Sequence, residues 1–392
     1  MTQHYTYLII GGGMSAAAAM EGIREVDATG SVGLISSDTH PPYNRPPLSK
    51  KLWTGKTTLA KIMRKTPDHA SLHLGRSAQT LDLAGKQVTD DQGEVYTYEK
   101  LLLATGGAPR RLPFGADHIL YFRTLDDYQY LRDLAEKHDR FAVIGGGFIG
   151  SEIAAALAMQ GKQVTMLFPE AGIGQRIFPP EVVNHLNQYY RDKGVEVLAG
   201  ESVNGVESTG ERLAVLTQSG RRIEADGVVA GIGIQPNVAL AASAGLKVDN
   251  GIVVNRTLQT SHIDVYAAGD VANFYDGVLQ VQRRVEHEDN ANRMGRAAGR
   301  AMAGDAAPYE YSPMFYSDLF DLGYEAVGEL DSRLETVIDW QEPYQTGVLY
   351  YLKDRRVRGV LLWNVWGQVE AAKALIAAGQ ALTPKGLVGR IH

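Results

Sequence analysis

Residues 141–152 read Phe141-Ala142-Val143-Ile144-Gly145-Gly146-Gly147-Phe148-Ile149-Gly150-Ser151-Glu152, and the fold is decided here. Apolar residues suited to a buried parallel strand run into a complete G-x-G-x-x-G turn, and a helix over 151–159 follows. The first glycine permits the tight strand-to-helix turn and the second lets the backbone approach a pyrophosphate. The third allows the helix to pack closely on the strand. The start of the helix offers free N–H groups and the positive end of its dipole to phosphate. Residues 164–168 supply the second strand of a βαβ unit, and Glu170 stands just beyond it, 23 residues after Gly147. An acid there accepts hydrogen bonds from a ribose 2′-OH and repels a 2′-phosphate, which favours NADH over NADPH. Arg176 lies close enough in sequence to oppose that preference, and Glu170 can also be an ordinary solvated loop acid.

The same grammar occurs 134 residues earlier. Residues 5–10 read as a strand and Gly11-Gly12-Gly13-Met14-Ser15-Ala16 fits G-x-G-x-x-A. Residues 15–26 read as an Ala-rich helix and residues 31–36 as the next strand. Alone, a glycine triplet after an apolar strand can be a simple tight turn. Two such units in one chain suggest two dinucleotides, and a hydride donor with a hydride acceptor is the economical pairing.

The bulk composition narrows the chemistry. At 392 residues the chain is too long for one ordinary core, so two or three domains are expected. A net charge of -6 gives no reason to expect a nucleic-acid partner. There are no cysteines, which removes disulfides, thiolate metal sites and any reduction that needs a redox-active thiol. No ligand cluster supports a haem, iron–sulfur or zinc site, so no metal is expected. No apolar run approaches the roughly 18–20 residues needed to span a bilayer, and no signal peptide is visible. A cytoplasmic enzyme is expected.

Further strands are expected at residues 101–104, 194–198, 203–207, 213–218, 228–234 and 265–268. Beyond Pro313 the texture changes to turn-punctuated strands at 326–329, 336–339, 347–352 and 358–363, followed by an apolar helix over 369–378. Trp363 and Trp366 are expected to be packing residues. The predicted fold class is α/β: two Rossmann-like dinucleotide-binding domains plus a C-terminal α+β domain. The expected boundaries are 1–111 with 246–312 for the first dinucleotide-binding domain, 112–245 for the second, and 313–392 for the C-terminal domain.

Several strings resemble one flavoprotein group, the ferredoxin and rubredoxin reductases and the apoptosis-inducing-factor flavoproteins. They are Pro42-Tyr43-Asn44-Arg45-Pro46-Pro47-Leu48-Ser49-Lys50, Ala104-Thr105-Gly106, residues 145–152, Gly233-Ile234-Gln235-Pro236-Asn237 and Ala268-Gly269-Asp270. The likeness spans nearly the whole chain. Others look more narrowly like the apoptosis-inducing-factor branch: Leu167-Phe168-Pro169-Glu170, Arg283-Arg284-Val285-Glu286-His287, Met314-Phe315-Tyr316-Ser317-Asp318-Leu319 and Gly323-Tyr324-Glu325-Ala326.

This resemblance implies FAD at the first turn and NADH at the second. For FAD it implies contacts from Gly11, Gly13, Met14, Ser15, Ala16, Arg45, Lys50, Ala78, Ala104, Thr105, Gly106, Arg123, Gly269 and Asp270. Glu286 and His287 would border both the isoalloxazine and the nicotinamide. For NADH it implies Gly146, Gly147, Phe148, Ile149, Glu170, Arg176, Gly233 and Glu325. Lys50, Glu152, His287 and Tyr316 would tune and position the hydride transfer. A fixed cation near a flavin raises its potential, and Glu152 would be the ion-pair partner that positions Lys50.

Three departures stand out. The acid expected for the adenosine ribose of FAD is replaced by Ser37, with Asp38 beside it. Tyr316 occupies the place of a tryptophan. The branch's long C-terminal insertion and its N-terminal targeting segment are expected to be absent. The activity implied is NADH-dependent reduction of FAD, with electrons passing on to an acceptor that could be a small molecule, a quinone, oxygen or an iron–sulfur protein. Two alternatives stay open: a ferredoxin or rubredoxin reductase, and a slow redox sensor with a long-lived reduced-flavin–NAD charge-transfer complex. The sensor would be a monomer able to form a homodimer on reduction.

Overall fold

The computed structural model describes residues 2–391. The chain divides into two compact units. The first runs up to Arg45 and includes Thr58–Ala108 and Gln235–Pro313. The second holds Pro46–Thr57, Pro109–Ile234 and everything from Met314 onward.

The first unit is built on a seven-stranded sheet. Strand Gln3–Ile10 lies between Val32–Ser36 and Val95–Leu103, parallel to both, and Ala70–Leu74 and Val265–Ala267 extend the parallel part. Strands Gln87–Asp90 and Ala78–Asp82 add antiparallel pairs. Helix Met14–Val26 covers the sheet and packs against helix Glu288–Met302 with almost no side chain between them. A Cβ on Gly295 would sit 2.3 Å from the Ser15 carbonyl oxygen, and one on Gly299 2.1 Å from that of Ala19. Small residues at these places let two backbones meet, which holds the start of the first helix in place.

The second unit contains a parallel five-stranded sheet in the order Val195–Ala199, Gln163–Phe168, Arg140–Ile144, Gly227–Ala230, Ile119–Tyr121. Val203–Ser208, Leu213–Thr217 and Arg222–Ala225 form a small antiparallel sheet beside it in sequence. The C-terminal sheet is antiparallel, ordered Met314–Leu319, Leu322–Gly328, Arg356–Trp363, Thr346–Lys353, Glu335–Glu342. Helix Val369–Ala378 packs on it through Ala372 and Ile376 and ends at Gly379, which adopts the left-handed conformation usual for a helix stop. Two Rossmann-like βαβ units and a C-terminal α+β region are therefore present.

Most expected strands are present with boundaries shifted by one to four residues, and residues 228–234 resolve into Gly227–Ala230 and the separate short strand Ile234–Pro236. Three long helices among the described residues were not expected, Leu125–Lys137, Pro180–Asp192 and Glu288–Met302, nor were the short ones Leu59–Ile62 and Ala239–Ser243. Two of the long ones carried a start signal. Thr124 and Asp127 form a reciprocal capping box, with Asp127 N–H donating to Thr124 Oγ1 at 3.2 Å and Thr124 N–H donating to Asp127 Oδ2 at 2.7 Å. Pro180 opens the next at its first position. Trp363 is fully buried as expected, whereas Trp366 is 54% exposed and lies over Gly323, so it is not a core residue.

Helix Phe148–Met159 starts directly after Gly147 and is buried continuously from Gly150 to Leu157. Its turn tolerates no side chain at the third glycine, because a Cβ on Gly150 would lie 2.0 Å from the Gly145 carbonyl oxygen. Gly145 has φ +114°, a conformation that residues with a Cβ rarely adopt. Replacing a helical glycine with alanine ordinarily stabilises by about 1 kcal/mol. For Gly150→Ala we expect the opposite sign, a loss of about 1–3 kcal/mol from overpacking. A lower melting temperature together with weaker NADH binding checks it, and a stabilised variant overturns it.

Candidate active site

In the first unit, the glycine turn ends at Gly13, which caps helix Met14–Val26 without any side-chain hydrogen bond. A Cβ there would meet nothing nearer than the Arg45 guanidinium at 3.8 Å. The result is an open cradle, with free helix N–H groups on one side and a cation close by, which suits a pyrophosphate. Gly11 packs on the end of strand Val95–Leu103, since a Cβ would sit 2.2 Å from the Ala104 carbonyl oxygen. Thr105 and Asn237 hold each other. The Thr105 hydroxyl donates to the Asn237 carbonyl at 2.8 Å and the Asn237 amide donates to the Thr105 carbonyl at 2.9 Å. Gly269 has φ +79° and lies against Ser15, so the Gly269-Asp270 turn meets the same helix start. The structure thus gathers Gly11, Gly13, Met14, Ser15, Ala16, Arg45, Ala104, Thr105, Gly106, Gly269 and Asp270 around one turn.

The other candidates of this unit are more spread. Ser37 is exposed. Asp38 turns inward, accepting from His40 N–H at 3.0 Å and from the Tyr43 hydroxyl at 2.8 Å. Ala78 starts strand Ala78–Asp82 opposite Asp90. Arg284 Nη1 donates to the Asp270 carbonyl at 3.0 Å and lies 2.5 Å from Glu286 Oε1, which ties the Arg283-Arg284-Val285-Glu286-His287 string to the Gly269-Asp270 turn. His287 caps helix Glu288–Met302. Burial holds its pKa down to about 4, with Arg283 adding to the effect and Asp270 opposing it. The imidazole is neutral at neutral pH.

In the second unit, Gly147 caps helix Phe148–Met159, again with no side-chain hydrogen bond, and only the Gly231 carbonyl oxygen at 3.9 Å would face a Cβ there. Gly146 lies on the Phe168 ring. Glu170, past the end of strand Gln163–Phe168, pairs with Arg176 at 3.2 Å, and the Arg176 side chain is 88% exposed. Gly233, with φ +90°, accepts from Arg110 N–H at 2.9 Å. Arg123 follows strand Ile119–Tyr121, and its N–H donates to Asp127.

Glu152 is a buried acid, 3% exposed on a helix whose other inner residues are uncharged. A buried carboxylate is costly unless its oxygens are bonded. Glu152 Oε2 takes the Lys50 ammonium at 2.7 Å and the Ser49 hydroxyl at 2.6 Å, and Oε1 takes the Ser317 hydroxyl at 2.6 Å. Lys50 Nζ also lies 5.4 Å from the centre of the Tyr316 ring. Tyr316 sits opposite Glu325 in the C-terminal sheet, and Glu325 Oε2 is buried with no hydrogen-bond partner among the described residues. Phe148 is 39% exposed and meets Phe315 edge-on at 5.5 Å. Ser49 and Ser317 were missed by the sequence reading. Both lie inside strings singled out above, but nothing in a string tells which way a hydroxyl turns.

The donors present fit two dinucleotides. Each unit has an uncapped helix N-terminus behind a glycine turn. The first adds the Arg45 cation, and the second adds the Glu170 carboxylate and a Glu325 oxygen with no hydrogen-bond partner among the described residues. The molecule thus has two dinucleotide-binding folds. Comparison with known proteins agrees: the pyridine nucleotide-disulphide oxidoreductase family matches residues 5–295, and the C-terminal region of mitochondrion-associated apoptosis-inducing factor matches 298–343 and 338–378. The chain is similar to apoptosis-inducing factor 1, mitochondrial, of Dictyostelium discoideum, at 35% identity over 95% of this chain and 78% of that protein. It is 34% identical to monodehydroascorbate reductase 3 of Arabidopsis thaliana, over 96% of this chain and 93% of that one. A crystal structure of the covalent putidaredoxin reductase–putidaredoxin complex superposes with TM-score 0.91 at 32% identity, covering 97% of this chain and 95% of that one.

The chain belongs to the pyridine nucleotide-disulphide oxidoreductase family. It is an NAD(H)-dependent FAD oxidoreductase similar to apoptosis-inducing factor and to the ferredoxin reductases. Despite the family's name, it has no cysteine to form a redox disulfide. Among the described residues no helix is long and apolar enough to cross a membrane.

The neutral state of His287 has a consequence for stability. Its folded pKa, about 4, lies below the ordinary 6.5, so between those values the unfolded chain binds more protons. The neutral imidazole therefore costs nothing above about pH 6.5, and stability is lost as pH falls from there toward 4. Denaturant melts across this window are expected to show a steeper decline for the natural protein than for His287→Gln. Equal slopes overturn the assignment.

Proposed function

We propose that this protein is an NADH-specific oxidoreductase of the apoptosis-inducing-factor type, in which hydride passes from NADH to FAD and electrons then leave to a separate acceptor. The observation that carries the reading is the buried Lys50–Glu152 pair, in which Lys50 lies beside Tyr316 and Glu152 is on the helix that starts at the second glycine turn. When bound, FAD supplies the hydride-accepting centre. Hydride transfer needs no protein acid or base, so the residues act by position and field. Lys50 holds a fixed positive charge for the reduced state, and Glu152 orients it. Tyr316 offers an aromatic face, smaller than a tryptophan's, to the nicotinamide. Glu325 would accept from the carboxamide, and Phe148, Ile149, Gly146, Gly147 and Gly233 would line the dinucleotide. Glu170 would hold the adenosine ribose, with Arg176 drawn aside by its own contact with that carboxylate. In the first unit, the cradle of residues 11–16 with Arg45 would hold the FAD pyrophosphate. Asp270, Glu286, neutral His287 and Arg123 would contact its remaining parts, Ala78 would too, and Ser37 is the exposed candidate for its ribose.

A second reading has support of its own. The superposition with a reductase joined to putidaredoxin favours a one-electron protein acceptor. A slow redox sensor that dimerises on reduction is the third reading. The location proposed is the cytoplasm, although the Dictyostelium relative is named as mitochondrial.

Anaerobic stopped-flow mixing with NADH separates the three. Rapid flavin bleaching, then reoxidation by a quinone or other small acceptor, is the result expected for the first reading. Reoxidation only by an iron–sulfur protein moves the assignment to the second. A persistent long-wavelength band with slow oxygen reactivity, together with a mass change in light scattering, moves it to the third. Failure of NADH to bleach the flavin sinks all of them.

For the nucleotide, Glu170→Ala is expected to weaken NADH binding about tenfold, the size of one hydrogen bond to a charged group. It also frees Arg176 for a 2′-phosphate, so the preference over NADPH narrows. Steady-state KM for both nucleotides reads this, and an unchanged ratio shows that Glu170 does not set the preference.

A further inference from the structure

We propose that Ser317, with Ser49, is a positioning residue that sets how strongly Lys50 acts on the flavin, by dividing the charge of Glu152 between its two oxygens. The inference rests on the reading of Lys50 given above and extends it to groups that touch neither cofactor in that reading. The two serines are 0% and 3% exposed, so neither hydroxyl is on the surface. Each makes a short contact with the carboxylate, in the range of charge-assisted hydrogen bonds. They reach different oxygens: Ser49 shares Oε2 with Lys50, whereas Ser317 alone among the three takes Oε1.

The surroundings make this division matter. The field of Lys50 is felt together with that of the carboxylate beside it, so where the Glu152 charge is concentrated sets the net effect. Hydroxyl donors draw part of that charge toward themselves, and loss of the donor at Oε1 leaves more of it on Oε2, facing the ammonium. Two phenols near Glu152 give no compensating charge. Burial pushes Tyr190 and Tyr324 well above the ordinary tyrosine range, Glu152 pushes them further, and both stay neutral. The hydroxyls therefore decide how much of the Lys50 field the carboxylate offsets. Ser317 also follows Tyr316, whose ring lies beside Lys50 Nζ, so one strand, Met314–Leu319, bears on the pair at two successive residues.

Ser317→Ala is the informative change, because it leaves the contact between Lys50 and Oε2 in place. The measurement is the midpoint potential of the FAD-loaded protein by spectroelectrochemistry, for Ser317→Ala, Ser317→Thr, Ser49→Ala, Lys50→Met and the Lys50→Met/Ser317→Ala double variant. Ser317→Ala is expected to lower the potential, equivalent to a roughly tenfold loss in the equilibrium constant for reduction. Ser317→Thr, which keeps the hydroxyl, stays near the natural value. In the Lys50→Met background the serine change has no further effect, because it acts through the missing ammonium. Should Ser317→Ala not fold, Ser49→Ala is expected to shift the potential in the same direction. An unchanged potential in Ser317→Ala, or an equal shift with and without Lys50, overturns this inference alone. An unmoved potential in Lys50→Met overturns it together with the assigned role of Lys50.

Discussion

A missing methyl group is the constraint on which the molecule depends. At both strand-to-helix turns the backbone passes so close to a neighbouring carbonyl that no Cβ fits: Gly11 against Ala104, Gly145 against Gly231, and Gly150 against Gly145. That closeness pulls each helix start against the ends of its parallel strands and leaves its first N–H groups uncapped. Unbonded N–H groups are tolerable at a protein surface only where water or a ligand takes them. The same contacts that pack the sheet therefore create the phosphate cradles, and fold and binding capacity have a single cause.

Around the second cradle the chemistry is organised by a charge that ought not to be buried. Glu152 lies one turn into a helix whose other inner residues are alanine, isoleucine, leucine, glycine and serine. Its burial is sustained by three donors from two separate stretches of chain, the Ser49-Lys50 pair and Ser317. Breaking such a group leaves an uncompensated charge, which costs far more than an exposed ion pair is worth. The contrast with Glu170 and Arg176 is instructive. That pair is open to solvent, adds little to stability, and is free to respond to what binds.

A flavoprotein without cysteine must control its electrons without a thiol relay. In the reading proposed above, the groups left for tuning would be a fixed cation, a neutral imidazole and aromatic rings. His287 is kept uncharged by burial, whereas Lys50 is kept next to a carboxylate. These opposite treatments of two nitrogen bases place one potential charge and withhold another.

The strand–glycine–helix grammar made both cradles legible from residues 5–16 and 141–152, because local steric rules act between neighbours in sequence. The absence of cysteine was equally plain. The helices Leu125–Lys137 and Pro180–Asp192 carried start signals and a regularly spaced buried face, Leu125, Tyr128 and Leu131 in one and Val182, Val183, Leu186 and Tyr190 in the other, so their omission is a misreading of signals that were present. Helix Glu288–Met302 likewise buries one face, on which Gly295 and Gly299 meet the first helix. Strand Met314–Leu319 was hidden because it alternates little. Only the tertiary structure decided that Ser49 and Ser317 share one carboxylate, that Glu325 keeps a buried oxygen without a partner, and that Asp38 turns inward to Tyr43. Those contacts join residues as far as 165 positions apart, and a side chain's direction is set by what the fold packs against it.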